Sequence, residues 1–276
     1  MPQTPPAGRP RLSVVGEPDL ASRLGLPAAP NGTADDRPHV VVIGGPVEDR
    51  VEHAALAVGA GAHAFLLWPP ASSVGAAEGL ADRAEEAGVE VGVARPLGAT
   101  AALAGVPAGW VARLVTLSLV ARLEGPLARA GWATLLAGAL DLCATLAVAR
   151  DVTRLDAVAE RDHGALRAVA LAARFENGAY AQATVRFSDH VAEDEIALYA
   201  SRPGSRVEAR SLAGPLCVEA EGRGSRLVSE APHPDTDAAE VDAFAAAVAA
   251  GRPAPYALDD ALATLRLVER VRGKLR

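Results

Sequence analysis

The stretch VVVIGGPVEDRVEHAALAVGAGAHAFLLWPPA, residues 40–71, decides the fold. It begins inside an apolar run, His39 to Ile43, that stops at Gly44-Gly45-Pro46. An unbroken apolar run of this length reads as a strand buried on both faces. Val47 to Ala60 has helical spacing, with Val51, Ala55 and Val58 on one side. A second apolar run, Ala62 to Leu67, then ends abruptly at Trp68-Pro69-Pro70. Strand, helix and strand in this order predict one unit of a parallel sheet.

Outward from this unit the alternation continues. Arg11 to Gly16 reads as a strand, Val74 to Ala87 as a helix closed by Gly88, and Val89 to Ala94 as a strand. These elements predict a truncated Rossmann-like parallel α/β domain over residues 11–110, and the Pro-rich residues 1–10 before it read as a disordered tail. Only 22 residues separate Gly16 from His39, so at least one strand–helix unit of a full Rossmann half is expected to be missing. Beyond residue 110 the pattern changes. Ala112 to Leu123 alternates, Trp132 to Ala149 is a long apolar helix, and seven strands follow between residues 152 and 230. Turns such as Glu176-Asn177-Gly178 separate them, and Asn-Gly is a strong hairpin signal. Two helices, 236–250 and 257–273, end the chain. Residues 111–276 therefore predict an α+β domain, a large and mostly antiparallel sheet with helices on one face.

Composition narrows the function classes. A net charge of −7 without a basic run speaks against nucleic acid or an anionic membrane as partner. The most hydrophobic window carries Asp141 and is short for a membrane span. The start of the chain has no apolar segment of the signal-peptide kind, and Cys143 and Cys217 read as buried thiols. A cytoplasmic location is the expectation. Of 27 basic residues one is a lysine, Lys274.

Five segments carry a resemblance. Residues 40–71 resemble the strand–helix–strand segment of the Gfo/Idh/MocA (glucose-fructose oxidoreductase / inositol dehydrogenase) family. GWATLLAGALDLCATLAVARDVTRLDAV is similar to its long second-domain helix, and ARFENGAYAQATVRF to its Asn-Gly hairpin. YASRPGSRVEA resembles a later turn, and EVDAFAAAVAAGRPAPYALDDALATLRLVERV the C-terminal helix pair. The resemblance covers about residues 39–273 and implies an NAD(P)-dependent oxidoreductase fold.

The same resemblance exposes what is altered. Leu67-Trp68-Pro69 stands where the family has Glu-Lys-Pro, and there the lysine ammonium helps move a substrate proton. An indole has only an N–H donor. On the long helix, alignment through Asp141 puts Gly138 at the family's histidine and Thr134 at its first acid. The glycine fingerprint is reduced to Gly16, followed by Glu17 and Asp19, whose charge opposes a pyrophosphate. Asp35 and Asp36 have the spacing of a ribose-binding acid but precede a strand and read as turn residues. Vestiges of the cofactor site would be Gly16, Gly44, Pro46 and Pro69. Arg95 matches an arginine often found at the family's cleft, with an interdomain salt bridge as the alternative. The six histidines show no zinc spacing, and Asp189-His190 with Glu193-Asp194-Glu195 reads as an acidic turn.

The expectation is therefore an oxidoreductase-like protein without NAD(P)-dependent redox catalysis, binding no NAD(P) and acting as a pseudoenzyme or partner subunit. No catalytic residue is assigned with certainty; Trp68, Arg95 and Asp141 are the candidate cleft residues, and no metal is expected. A non-redox enzyme reusing the interdomain cleft, with Trp68 as a wall, is one alternative. An active sugar or polyol oxidoreductase with relocated groups is another. The partner expected is a second copy or a homologous oxidoreductase, docked on strands 165–188.

Overall fold

The structure is a computed structural model and describes residues 10–16, 19–24, 39–98, 106, 109–212, 216–222, 225–231 and 236–275. Asp35 and Asp36 lie outside these residues, as do Glu17 and the side chain of Cys217. The described residues pack as two compact units. One runs to Arg95 and includes the chain from helix 236–249 to Leu262; the other runs from Pro96 and includes the remainder from Ala263.

The first unit is built on four parallel strands in the order β1-β2-β3-β4, namely Arg11–Val15, His39–Ile43, His63–Leu66 and Val91–Val93. The short α1 (Leu20–Arg23) follows β1, α2 (Val47–Gly59) joins β2 to β3, and α3 (Val74–Ala87) joins β3 to β4. Helix α3 has clear end signals: Ser73 Oγ accepts the Ala76 N–H at 3.2 Å, and Gly88 closes it at φ 64°. Alternation along the strands divides the core into two layers. Val40, Val42, Phe65 and Leu67 pack with Leu20 and Leu24 of α1 and with Val241, Phe244 and Val248. Val41, Ile43, Ala64 and Leu66 point the other way, towards the face taken by α2 and α3.

The three residues from 241 to 248 belong to α5 (Thr236–Ala249), which the sequence reading assigned to the second domain. The α5 helix packs in the first unit because its apolar face completes that core, with Phe244 and Phe65 ring centroids 5.4 Å apart. Gly92 on β4 permits this: a Cβ there would stand 2.6 Å from the Phe244 ring. The segment after α5 covers the outer edge of β4, where Val93 N donates to Tyr256 O at 3.0 Å.

The second unit is an eight-stranded sheet in the order β12-β11-β10-β9-β5-β8-β7-β6. Its strands are β5 (Leu114–Arg122), β6 (Val152–Asp162), β7 (Ala165–Phe175), β8 (Tyr180–Ser188), β9 (Glu195–Arg202), β10 (Ser205–Leu212), β11 (Leu216–Gly222) and β12 (Ser225–Ala231). Within this mostly antiparallel sheet β5 pairs with β8 in parallel, while its other neighbour, β9, is antiparallel. Local alternation cannot encode that choice, since both pairings use the same two-residue period. The Asn-Gly hairpin between β7 and β8 is present. Gly178 takes φ 79°, Asn177 Oδ1 accepts the Ala179 N–H, and Asn177 Nδ2 donates to Ala147 O at 2.7 Å.

The long helix α4 (Pro126–Ala147) starts six residues earlier than the apolar pattern implied and breaks at Gly131, φ 80°. It starts there because Asp194 caps it: Oδ2 accepts the Leu127 N–H at 3.1 Å, while Oδ1 accepts the Arg122 N–H at 2.8 Å. The acidic turn thus supplies the cap that Gly125 lacks. By length and composition α4 could cross a membrane, yet most of it is buried within the protein. The last helix, α6 (Leu258–Lys274), carries Asp259 and Asp260 in its first turn and Arg272 and Lys274 in its last, as its dipole favours.

Candidate functional site

In an open parallel sheet, ligands bind outside the carboxyl ends of the strands, where successive connections leave towards opposite faces. Here the chain leaves β1 towards the α1 face and β2 towards the α2 face, so that crevice lies between Gly16 and Gly44-Gly45. The two loops meet backbone to backbone. Gly44 N donates to Val15 O at 3.0 Å, which extends the ladder past the strand ends. Gly16 and Gly45 adopt φ 93° and 79°, open to glycine and strained for other residues. A Cβ on Gly16 would lie 2.5 Å from Gly44 O, and one on Gly45 would overlap Gly16 O. Beneath Gly16, His53 Nδ1 is buried without a hydrogen-bond partner.

Charge around this crevice is acidic. Asp19 is exposed next to α1, and Glu48 and Asp49 are exposed in the first turn of α2. They suit the helix dipole and oppose a phosphate. One basic residue sits among them, Arg50. Its Nε and Nη2 both donate to Gly45 O, at 3.0 and 2.7 Å, and its Nη1 donates to Leu67 O at 2.9 Å and Pro69 O at 2.7 Å. One guanidinium thus ties the loop after β2 to the loop after β3. The sequence reading passed over Arg50. Its signal was its position, since a cation in a first helical turn opposes the dipole and requires partners that outweigh it.

The candidate residues fall into both units. Pro46 is exposed and precedes α2, and Gly44 is buried. Trp68 follows β3, half-buried and joined to Pro69 by a cis peptide bond, with Pro70 buried behind it. Arg95 follows β4. Its guanidinium carbon lies 4.7 Å from the Tyr256 ring centroid, and its backbone N–H donates to Glu240 Oε2 at 2.8 Å. All these groups lie in the first unit, and so do Tyr256 and Glu240.

Asp141 lies in the second unit, on α4, and is 4% exposed. Two residues on, Cys143 is a free thiol pushed up to about 12, first by burial and then by the Asp141 charge. Gly138, at the position aligned with the family's histidine, is overlain by Leu97, a residue of the 3-10 turn Pro96–Gly98 held at φ 61°. A Cβ at Gly138 would overlap the Leu97 side chain. That surface of α4 is packed with a leucine. Among the described residues no group of three His, Cys, Asp or Glu side chains could hold a metal ion. His63 has a structural use: its Nδ1 accepts the Glu90 N–H at 2.9 Å, and burial holds the ring below its usual pKa.

No protein-family model and no curated protein sequence matches the chain. Solved structures do. UDP-N-acetylglucosamine 3-dehydrogenase GnnA from Acidithiobacillus ferrooxidans superposes with a TM-score of 0.76 at 18% identity, over 96% of this chain and 97% of that one. An oxidoreductase from Agrobacterium radiobacter, in complex with NAD+, L-tartaric acid and magnesium, gives 0.72 at 15% identity, over 96% and 88%. A probable dehydrogenase from Thermotoga maritima gives 0.72 at 13%, over 96% of each chain. The chain thus has the fold of the Gfo/Idh/MocA-type oxidoreductases, the family its sequence motifs resemble.

Proposed function

We propose that this chain is an oxidoreductase-fold protein that has lost NAD(P)-dependent redox catalysis and serves as a pseudoenzyme or partner subunit. The observation that carries this reading is the closed crevice between β1 and β2, where the Gly16 and Gly45 backbones touch. A pyrophosphate needs glycine backbone held open beside a helix N-terminus. Here that backbone is in contact with itself, Glu48 and Asp49 flank it, and Arg50 donates to loop carbonyls. The changes at Trp68 and Gly138 act in the same direction, since neither an indole nor a glycine can exchange a proton with a substrate at neutral pH. Calorimetric titration with NAD(H) and NADP(H) is expected to give dissociation constants no tighter than about millimolar, roughly −4 kcal/mol. Micromolar binding would instead favour an active oxidoreductase with relocated groups.

The partner in this reading is a second copy or a homologous oxidoreductase, docked on the outer face of β7 and β8, in a reducing cytoplasm. Alternation sorts those strands. Val169, Leu171, Ala173, Ala181, Ala183 and Val185 are buried, while Ala170, Tyr180, Gln182, Thr184 and Arg186 are exposed. Cross-strand rows such as Ala170–Thr184–Ser118 and Ala172–Gln182–Thr116 make that face one of small, mostly uncharged side chains, suited to an isologous contact. Light scattering is expected to return twice the 28.2 kDa mass of one chain, or a heterodimer in the presence of the homologue. A persistent single-chain mass under both conditions would remove the partner-subunit role.

A further inference from the structure

The sheet of the second unit ends at β6. Its neighbour is β7, and among the described residues no strand pairs with its other side. An open edge is a template for another chain, and proteins blunt such edges with charge, bulges or cover. Both ends of β6 are irregular and engaged. Val152 O accepts from Arg270 Nη1 at 3.0 Å, and Arg161 Nη2 donates to Leu275 O at 3.1 Å. The ladder to β7 slips between Val152 and Arg154 and again between Glu160 and Arg161. Between the two slips seven residues, Arg154 to Glu160, keep a regular register.

Side chains alternate along this stretch. Leu155, Ala157 and Ala159 pair with the buried Ala173, Leu171 and Val169, so they lie on the core side. Arg154, Asp156, Val158 and Glu160 lie on the other side and are exposed, Val158 at 72%. Arg154 Nε donates to Asp156 Oδ2 at 2.8 Å, while among the described residues Glu160 has no ion partner. The regular stretch thus begins with a cation and ends with an anion on one face.

We infer that the β6 edge pairs antiparallel with β6 of a second copy, centred on Ala157. That register sets Arg154 against Glu160 of the second copy, and the two-fold axis repeats the pair. Opposite charges directly across a ladder stabilise it, and like charges destabilise it. The guanidinium has donors enough to keep Asp156 as well. Neighbouring registers fail. Centred on Asp156, the two aspartates face each other; centred on Val158, Asp156 faces Glu160. A half-step shift sets the core side of one strand beside the exposed side of the other. The charges therefore select one alignment of this edge and reject the rest. Seven paired residues make a small contact, below the size of stable interfaces, so the association depends on concentration. It is separate from the contact on the outer face of β7 and β8.

Disulfide trapping with diamide tests this on the full chain in a Cys217→Ser background, Cys143 being buried. Ala157→Cys puts a thiol on the two-fold axis, where paired Cα atoms stand about 4.5–5.5 Å apart, within disulfide reach. A linked dimer is expected. Ala159→Cys is the control: its copies would be offset by four residues, roughly 13 Å, and should link at least about tenfold more slowly. Adding Arg154→Glu to Ala157→Cys should slow linking about tenfold, and adding Glu160→Arg to that pair should restore it. If Ala157→Cys does not fold, sedimentation at high concentration decides: association beyond the face contact is expected in wild type and lost in Arg154→Glu. The inference is overturned if Ala157→Cys gives no linked dimer, if both cysteine variants link equally, or if charge reversal changes neither linking nor sedimentation. The outer-face contact turns the core side of β6 away from its partner and cannot bring two copies of residue 157 together. A failure here therefore leaves that contact and its light-scattering mass untouched.

Discussion

Gly45→Ala is expected to destabilise the first unit by roughly 2–5 kcal/mol. Two costs add. A left-handed backbone costs an alanine about 1–2 kcal/mol, and Gly45 sits at φ 79°. The new Cβ would also meet Gly16 O and stand 2.9 Å from Gly16 C, both backbone atoms that cannot rotate aside. Overpacking of this kind costs about 1–3 kcal/mol. Gly79→Ala in α3 is the control, because nothing lies within 4 Å of its Cβ position, and it should gain up to about 1 kcal/mol. Chemical denaturation of both variants measures the difference. A Gly45→Ala protein as stable as wild type would mean that the loops after β1 and β2 stand apart, and the closed-crevice argument would fall with it.

Arg50→Ala should lower stability by roughly 3 kcal/mol. Four hydrogen bonds from a charged donor are lost, and three carbonyls, those of Gly45, Leu67 and Pro69, lose an acceptor role. A bond to a charged group contributes about 1.5–3 kcal/mol, and the sum is discounted here because the site is part-buried and water can reach some of these oxygens. For a protein of this size the loss corresponds to about 6–12 °C in Tm. Arg50→Lys should recover only a minor part, since an ammonium cannot reproduce the planar fork that reaches two loops at once. Equal melting of Arg50→Lys and wild type would show that charge, and not geometry, holds the two loops.

Residues 39–94 show what was legible without coordinates. Apolar runs stopping at Gly44 and Trp68, and a helix closed by Gly88, follow from short-range patterns, and each appears where the pattern put it. The Asn177-Gly178 hairpin is of the same kind, since a two-residue turn at positive φ is a local property. The absence of lysine at Trp68 is likewise a matter of residue identity. The place of α5 was not legible in this way: its apolar face was plain, but which core it joins depends on Phe244 meeting Phe65 across about 180 residues of chain.

By itself, then, the sequence determined the elements, their order and the residue types at positions such as Trp68 and Gly138, because each depends on residue type and spacing over a few positions. Tertiary structure decided the parallel pairing of β5 with β8, the capping of α4 by Asp194, the packing of Leu97 onto Gly138 and the grip of Arg50 on two loops. Each of these joins groups distant in sequence through a hydrogen bond or a van der Waals contact. Neither interaction leaves a periodic trace in the chain, and both exist only once the strands have brought the loops together.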